Sequence, residues 1–509
     1  MSFFRGLNNI SGENLVDFSF EVKNSSAYTQ DSTFTLSKGV PLWEVDGKIA
    51  VGTSADYTYS DSGSTKTATL KVNSLDDITG FNPMGDFIVG NLDFTGVKNL
   101  TSIFYNCVAQ ASNGGLAFTG ITFDPEYNTN SFSIQLVDYT GGGNSSLGPR
   151  VDLSMMGNLG GKAQEFTRND FLEEVIWPTG STGGWTNTTP SYTNDHISMW
   201  GNGLTGATSM DFSWVPANSF NLHSFEVNSN SVDAIVFPPT NKFMASGVYY
   251  AARGFKLEGA FRGGGAKDIH LDLSPLSGVT YAEANKEFDF SGNMTLTGIT
   301  WFQDSPDLGR IYVDNTSITS DSLDFVSYGI TINSHCTLND MTGATQVTFL
   351  PQVYVNSTVM TMHNCDWTGT INITGMTGLY HFTIFNNPNL TNLLLPISTG
   401  TFLDVGAGGG VQWSLTKAFQ AESCDLGYVD FNPLSGATFN SSSSIYLQDN
   451  SMTATEVNHI LEDLDTINWS GVTLDISGTN AAPDGSSGGF DGITALASLT
   501  GKTWSVTTT

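Results

Sequence analysis

The feature that most constrains this chain is a doublet of apolar residues that returns every 11 positions. Met360/Met362, Ile371/Ile373, Phe382/Ile384 and Leu393/Leu395 have first members at 360, 371, 382 and 393. Within Leu379–Pro396, LYHFTIFNNPNLTNLLLP, the pattern L-x-x-F-x-I-x-x-N runs once and L-x-x-L-x-L starts again at Leu390, 11 residues on. Five residues after each first member stand Cys365, Met376, Asn387 and Ser398, and three before it Ser357, Thr368, Leu379 and Leu390. An interval of 11 also places apolar residues on one face of an α-helix. Here Gly369, Gly375, Gly378, Pro388 and Pro396 interrupt the run, and its apolar positions are often β-branched or aromatic. Helix fails: the spacing of two marks strands, and the Asn/Gly/Pro clusters mark turns.

Each unit of 11 residues is then a short strand plus a turn, and two units make one coil of roughly 22 residues. Successive coils pair as parallel strands about 4.8 Å apart. Their apolar residues meet in a narrow core, because no single coil can bury its own face. Asn387 is expected in an internal ladder, its amide bonded to backbone groups at the bend. Ile121/Phe123, Ile235/Phe237, Ile269/Leu271/Leu273, Phe288/Phe290, Ile299/Trp301 and Ile311/Val313 carry the same rhythm less regularly, from about residue 76 onward. Ser357–Ser398, and more loosely Phe288–Val313, resemble leucine-rich repeat proteins, in particular the nested variants of roughly 21 residues found in bacterial surface proteins and their phages. That resemblance implies a fold more than a function, since such proteins bind partners of very different chemistry.

The first 75 residues read differently. Phe18-Ser-Phe20-Glu-Val22 and Ala68-Thr-Leu70-Lys-Val72 alternate apolar and polar, and Trp43, Asp46-Gly47 and DYTYSDSG (Asp56–Gly63) lie between them. Short strands between turn signals predict a small β-sandwich. WEVDG followed by YTYSDSGSTKTATLKV resembles a divergent PKD-type, immunoglobulin-like domain, although the usual Gly before Asp46 is missing and Leu70 falls one residue late relative to Gly63. At the other end, Thr453-Ala-Thr-Glu456 is a capping-box pattern ahead of Val457, Ile460, Leu461, Leu464 and Ile467 at helical spacing. A strand at Val472–Ser477, the turn PDGSSGG, a short helix from Phe490 to Leu499 and KTWSV follow. An open solenoid end must be covered. The expected chain is therefore mainly β: an immunoglobulin-like sandwich at 1–75, an irregular leucine-rich-repeat-like β-solenoid with insertions at 76–452, and an α/β C-terminal cap at 453–509.

Composition narrows the partners. The net charge is −30, and only 13% of residues are charged. A nucleic-acid binder needs basic residues to displace counterions, so the charge argues against that class and against docking on anionic lipid by general attraction. No stretch reaches the roughly 18 apolar residues of a membrane span, and MSFFRGLNNISGENLVDF has no apolar core of signal-peptide length. The expectation is a soluble chain, made without the usual export signal or already mature, with Met1 favouring the former. Cys107, Cys336, Cys365 and Cys424 form no C-x-x-C pair and read as buried thiols in apolar places.

Catalytic signals are poor. The seven histidines are scattered, and neither HExxH nor GxSxG occurs. GGGNSSLG, RGGGAKD and GAGGG lack the ending of a phosphate-binding loop, so no cofactor is expected. His335-Cys336 with His363/Cys365 could meet on stacked coils as a zinc site, but Cys365 holds a repeat core position and neighbours on a strand face opposite ways. Asp272, Asp289 and Asp430 sit between apolar strand residues and point outward, with no identifiable acid–base pair for a glycosidase.

Two insertions stand out as candidate interfaces. WTNTTPSYTNDHISMW carries Trp185, Tyr192 and Trp200, rings that either stack on sugars and anchor protein contacts or plug the loop onto the solenoid. Asn241–Lys267 holds Lys242, Arg253, Lys256, Arg262 and Lys267 against the single acid Glu258, interleaved with Tyr249, Tyr250, Phe255 and Phe261. Such a loop either docks an acidic neighbour or an anionic glycan, or balances the local negative field. The combination fits a non-enzymatic bacteriophage virion surface protein, a fibre or a capsid or tail decoration. Its partners would be other virion structural proteins and a host surface protein or glycan. A secreted bacterial adhesin and a polysaccharide-degrading tailspike are the alternatives.

Overall fold

The computed structural model describes residues 15–23, 29–39, 42–45, 48–51, 54–58, 65–84, 88–106, 118–125, 133–137, 150–154, 164–167, 172, 174–178, 196–200, 209–217, 220, 222, 224–228, 232–239, 255–261, 268–276, 287–302, 307–349, 352–374, 376–396, 419–436, 443–467 and 469–509. The chain is mainly β and forms a β-solenoid, divided into a unit of Met1–Val248 with Gly263–Gly265 and a unit of Tyr249–Arg262 with Ala266–Thr509. Among the described residues no helix is long and apolar enough to cross a membrane.

In the second unit, ten strands form one continuous parallel ladder. It runs from Phe255–Lys256 through Glu287–Asp289, Asp307–Tyr312, Thr331–Thr337, Gln352–Thr361, Met376–Thr383, Phe419–Gln420, Ser444–Tyr446 and Thr473–Asp475 to Ser505–Thr507. Met360 pairs with Phe382 on this ladder, while Ile371 pairs with Leu393 in the separate sheet of Gly369–Asn372 and Leu390–Leu394. The 11-residue restart is thus a crossing from one side of the core to the other. All the doublets named above are buried, from 0% exposure at Met360 and Phe382 to 7% at Phe123 and Ile269.

Leaving the ladder requires a sharp bend, and one backbone device repeats. The fourth residue after each central core position is left-handed: Gly259, Gly292, Asn315, Asp340, Asn364, Asn386, Ser423, Asp449 and Gly478, with φ from 55° to 79°. Gly, Asn and Asp tolerate this region best, which accounts for most of the column. Except after Gly478, where Asn480 takes the place one residue later, the next residue faces inward. Asn387 donates to Met362 O at 2.9 Å and Ile384 O at 2.6 Å and accepts from Cys365 N at 3.0 Å. Asn293 and Asn450 repeat the pattern one coil to another, and Asn480 extends it. Cys365 and Cys424 hold the same place, their thiols donating to Leu338 O and Ile384 O of the preceding coil. A bend buried inside a solenoid must satisfy its backbone without water, and a side chain able to donate to the coil behind does so.

Off the ladder, a second kind of bend recurs in each unit. LDFT (Leu92–Thr95), VDLS (Val151–Ser154), MDFS (Met210–Ser213), LDLS (Leu271–Ser274), INIT (Ile371–Thr374) and VDFN (Val429–Asn432) share one motif. In each, the Asp or Asn between two core residues accepts the backbone N–H two residues on, at 2.8 to 3.0 Å. FDFS and LDIS repeat the turn on the ladder itself. Asp272, Asp289 and Asp430 belong to this set. Seven of the chain's aspartates thus serve turns.

In the first unit, Val16–Lys23 pairs antiparallel with Thr65–Val72, setting Phe18 opposite Leu70 and Phe20 opposite Ala68, with Leu42–Val45 and Lys48–Val51 beyond. Thr29–Leu36 pairs antiparallel with Ser54–Thr58 and Ile78–Met84. Both sheets then run on into parallel ladders. The first continues through Ile88–Phe94, Phe118–Phe123, Arg150–Asp152 and Glu174–Ile176; the second through Ser102–Asn106, Ser133–Val137, Gln164–Thr167, His196–Trp200 and Ser224–Asn228. Phe18 stacks on Phe94 at 5.2 Å and Phe94 on Phe123 at 6.1 Å, so the hydrophobic core is continuous across this change of strand direction.

At the C-terminus, helix Ala454–Thr466 starts with the predicted capping box: Thr453 Oγ1 accepts from Glu456 N, and Glu456 Oε2 from Thr453 N. Val457, Ile460, Leu461, Leu464 and Ile467 are buried. The second helix spans Gly492–Gly501, starting two residues later than the pattern suggested because Asp491 caps it, accepting from Thr494 N. The last two ladder strands alternate with these helices.

Candidate functional site

The ladder of the second unit carries a surface that no single stretch of sequence displays. Residues on either side of each central core position point outward and stack in register from coil to coil. One column runs Glu287, Arg310, His335, Val359, His381, and the other Lys256, Asp289, Tyr312, Thr337, Thr361, Thr383, Gln420, Tyr446. Packing of each side chain against its neighbours leaves most of them half-buried and Thr337, His381, Thr383 and Gln420 buried.

This crowding sets the electrostatics. Burial raises the Asp289 carboxyl above the usual range despite the Ser291 amide, with Glu258 and Glu287 adding to the effect. Burial raises Asp314 too, against the Asn339 N–H and Thr337 hydroxyl that it accepts. His335 is held down to about 4, by burial first and by Arg310 second. His363 is lowered by burial, and its ring stacks on Phe385 at 4.5 Å and 15°. Tyr312 is raised, again chiefly by burial. The face therefore presents hydroxyls, amides, neutral imidazoles and ring faces with little net charge in its middle. Such a surface recognises polar, uncharged groups by hydrogen bonding and stacking.

Lys256 sits at one end of this face, on the strand Phe255–Lys256, and Nζ pairs with Glu287 Oε1 at 2.8 Å. Its charge is committed to the scaffold. Trp200 ends the strand His196–Trp200 in the first unit, in register with Thr167 and Asn228. Trp185, Tyr192, Tyr249, Tyr250, Arg253 and Arg262 lie outside the described residues. The outward columns went unread because their identities follow no period. Their positions were legible, since each lies beside or between the members of an apolar doublet.

The cysteine and histidine pairs separate. Cys336 and Cys365 face the core while His335 faces out, and among the described residues no group of three His, Cys, Asp or Glu side chains is placed to hold a metal. Burial pushes the Cys365 and Cys424 thiols up to about 12 and Cys336 higher still, so they are inert donors in the core. Comparison with known protein families, curated proteins and solved structures gives no match.

Proposed function

We propose that this chain is a non-enzymatic surface protein of a bacteriophage virion, a fibre or a capsid or tail decoration, whose solenoid adheres to a host surface protein or glycan. The observation that carries the adhesive part is the in-register polar and aromatic face of the long ladder. The carboxylates weighed for a glycosidase, Asp272, Asp289 and Asp430, each hold a backbone amide of a turn, and Asp314 holds two donors of the next coil. The virion setting rests on the resemblance of Ser357–Ser398 to nested leucine-rich repeats of bacterial surface proteins and phages. On this reading the antiparallel strands of the first 75 residues form the PKD-like, immunoglobulin-like part that attaches to other virion proteins.

The test is binding of the labelled intact chain to bacterial host cells, with a Thr361→Lys variant that sets a charge in the middle of the face. Cell binding should fall by about tenfold or more with an unchanged melting temperature. Equal binding by the variant would sink the assignment of this face, and release of reducing sugar from capsular polysaccharide would revive the hydrolase.

A further inference from the structure

We infer that the C-terminal helix is fastened to the solenoid by a proton-dependent latch, in which His459 is clamped between Tyr428 and Phe490 and held more tightly when protonated. The three rings come from three separate segments. Tyr428 belongs to the coil that follows Cys424, His459 to the helix Ala454–Thr466, and Phe490 to the turn ahead of the helix Gly492–Gly501. The imidazole lies 3.8 Å from the Tyr428 ring with the planes 1° apart, and 3.9 Å from the Phe490 ring at 15°. Carbon atoms in contact stand about 3.5 Å apart, so rings stacked this closely overlap face to face with almost no offset.

Neutral aromatic rings avoid that overlap, because their negative faces repel. An imidazolium reverses the sign, and both faces then attract the cation between them. The surroundings act in the same direction. Asp463, at i+4 on the helix, sets Oδ1 3.8 Å from His459 Nε2, and its side chain is only 8% exposed. That carboxylate also accepts from the Tyr428 hydroxyl and from Asn432 Nδ2, which ties it to the coil. Burial first, and Asp463 second, hold the Tyr428 hydroxyl well above its ordinary value, so Tyr428 stays a neutral donor. On the coil, Asp430 stands beside Tyr428. On the helix, Glu456 lies against Gly427 and Glu462 accepts from Asp491 N. On the turn, Asp484 accepts from Asn458 and Asp491 from Thr494 N. Segments 425–432, 454–466 and 483–491 contain no Lys or Arg. Lys502, the next base along the chain, pairs with Asp465 at 2.8 Å. His459 is thus the group of these three segments that can become a cation, and every charge set around it is negative.

The latched state holds the proton more firmly than the open one, so acid favours latching. Protection should be greatest at low pH and fall as imidazole loses its charge, between about pH 5 and 8. The latch is independent of whatever the ladder face binds. The experiment is amide hydrogen exchange of the intact chain at pH 5.5 and 8, read by mass spectrometry as protection relative to intrinsic rates. Amides of Ala454–Thr466 and of 484–492 should be protected roughly tenfold more at pH 5.5 than at pH 8. His459→Phe keeps a stacked ring but carries no charge, and its ratio should fall to that of the ladder amides of Met376–Thr383 measured alongside. Phe490→Leu removes one face and leaves the proton, and should cut the ratio to about threefold. His335 and His363 are present in every chain compared, so they drop out of the difference. Equal ratios in the parent and His459→Phe, a ratio that Phe490→Leu leaves whole, or protection that rises with pH would each overturn the latch. Should His459→Phe fail to fold, Phe490→Leu decides alone.

Discussion

On the long ladder of the second unit, the chain leaves most strands through a left-handed residue followed by a buried Asn, Thr, Met or Cys. On the opposite face it leaves through an Asp or Asn, mostly exposed, that accepts the amide two residues on. Water can replace an exposed turn acceptor, but nothing replaces the carboxamide of Asn387 between two coils. The tolerance of the two faces follows. The ladder runs unbroken over ten strands, whereas the opposite side comes in two-stranded pieces and is filled elsewhere by the 3₁₀ turn Ser320–Leu323, the short helix Phe325–Tyr328 and the helix Ala454–Thr466.

The largest expected effect tests the ladder side of that contrast. Asn387→Ala leaves the Cys365 N–H without its acceptor in a site of 0% exposure, and takes one donor each from Met362 O, which keeps Trp367 Nε1, and Ile384 O, which keeps the Cys424 thiol. The cost should be about 3 kcal/mol in urea unfolding, with an unchanged m-value. A cost below about 1 kcal/mol would mean that neighbouring rungs close the gap, and that the buried column is not what holds the ladder together.

Crowding on the outer side of the ladder gives a second, smaller effect. Unfolded, the His335 imidazole titrates near 6.5; folded, burial and Arg310 hold it at about 4. Between those values the unfolded chain takes up a proton that the folded chain refuses. The stability contributed by neutral His335 is thus complete above pH 6.5, is lost as the pH falls from there to about 4, and changes no further below. His335→Gln should flatten the fall in melting temperature between pH 7 and 4.5 relative to the parent chain. Parallel curves would show that the outer columns open to solvent more readily than their packing suggests.

The sequence revealed the two sides of the core but not the difference between them. Apolar doublets are periodic, so Met360, Ile371, Phe382 and Leu393 could be assigned alternately to two sheets, and Asn387 to an internal ladder. The same column elsewhere holds Thr316, Met341, Cys365 and Cys424, three chemistries that share no pattern until the coils are stacked. Asp272, Asp289 and Asp430 looked like loose surface acids, although the motif apolar–Asp–apolar–Ser/Thr recurs along the chain and marks their turns. For the candidate site the limit is distance along the chain. Lys256 was grouped with its basic neighbours, while the group that neutralises it, Glu287, lies a full coil away. Arg310, Tyr312, His335 and Thr361 form a surface only once the register is known.

The smallest expected effect is the sharpest comparison, because it repeats one substitution in one coil. Asn372 and Asn387 differ in the side of the core they turn. Asn372 Oδ1 accepts Thr374 N at 3.0 Å and Thr374 Oγ1 at 2.8 Å, but the residue is exposed and water can take over both donors. Asn372→Ala should therefore cost only about 0.5 kcal/mol. Asn372→Asp should be nearly neutral, since Asp fills that place in LDFT, VDLS, MDFS and LDLS. If Asn372→Ala proved as costly as Asn387→Ala, exposure would not separate the two bends. The interrupted sheets of the opposite face would then need a cause other than the ease with which water completes their turns.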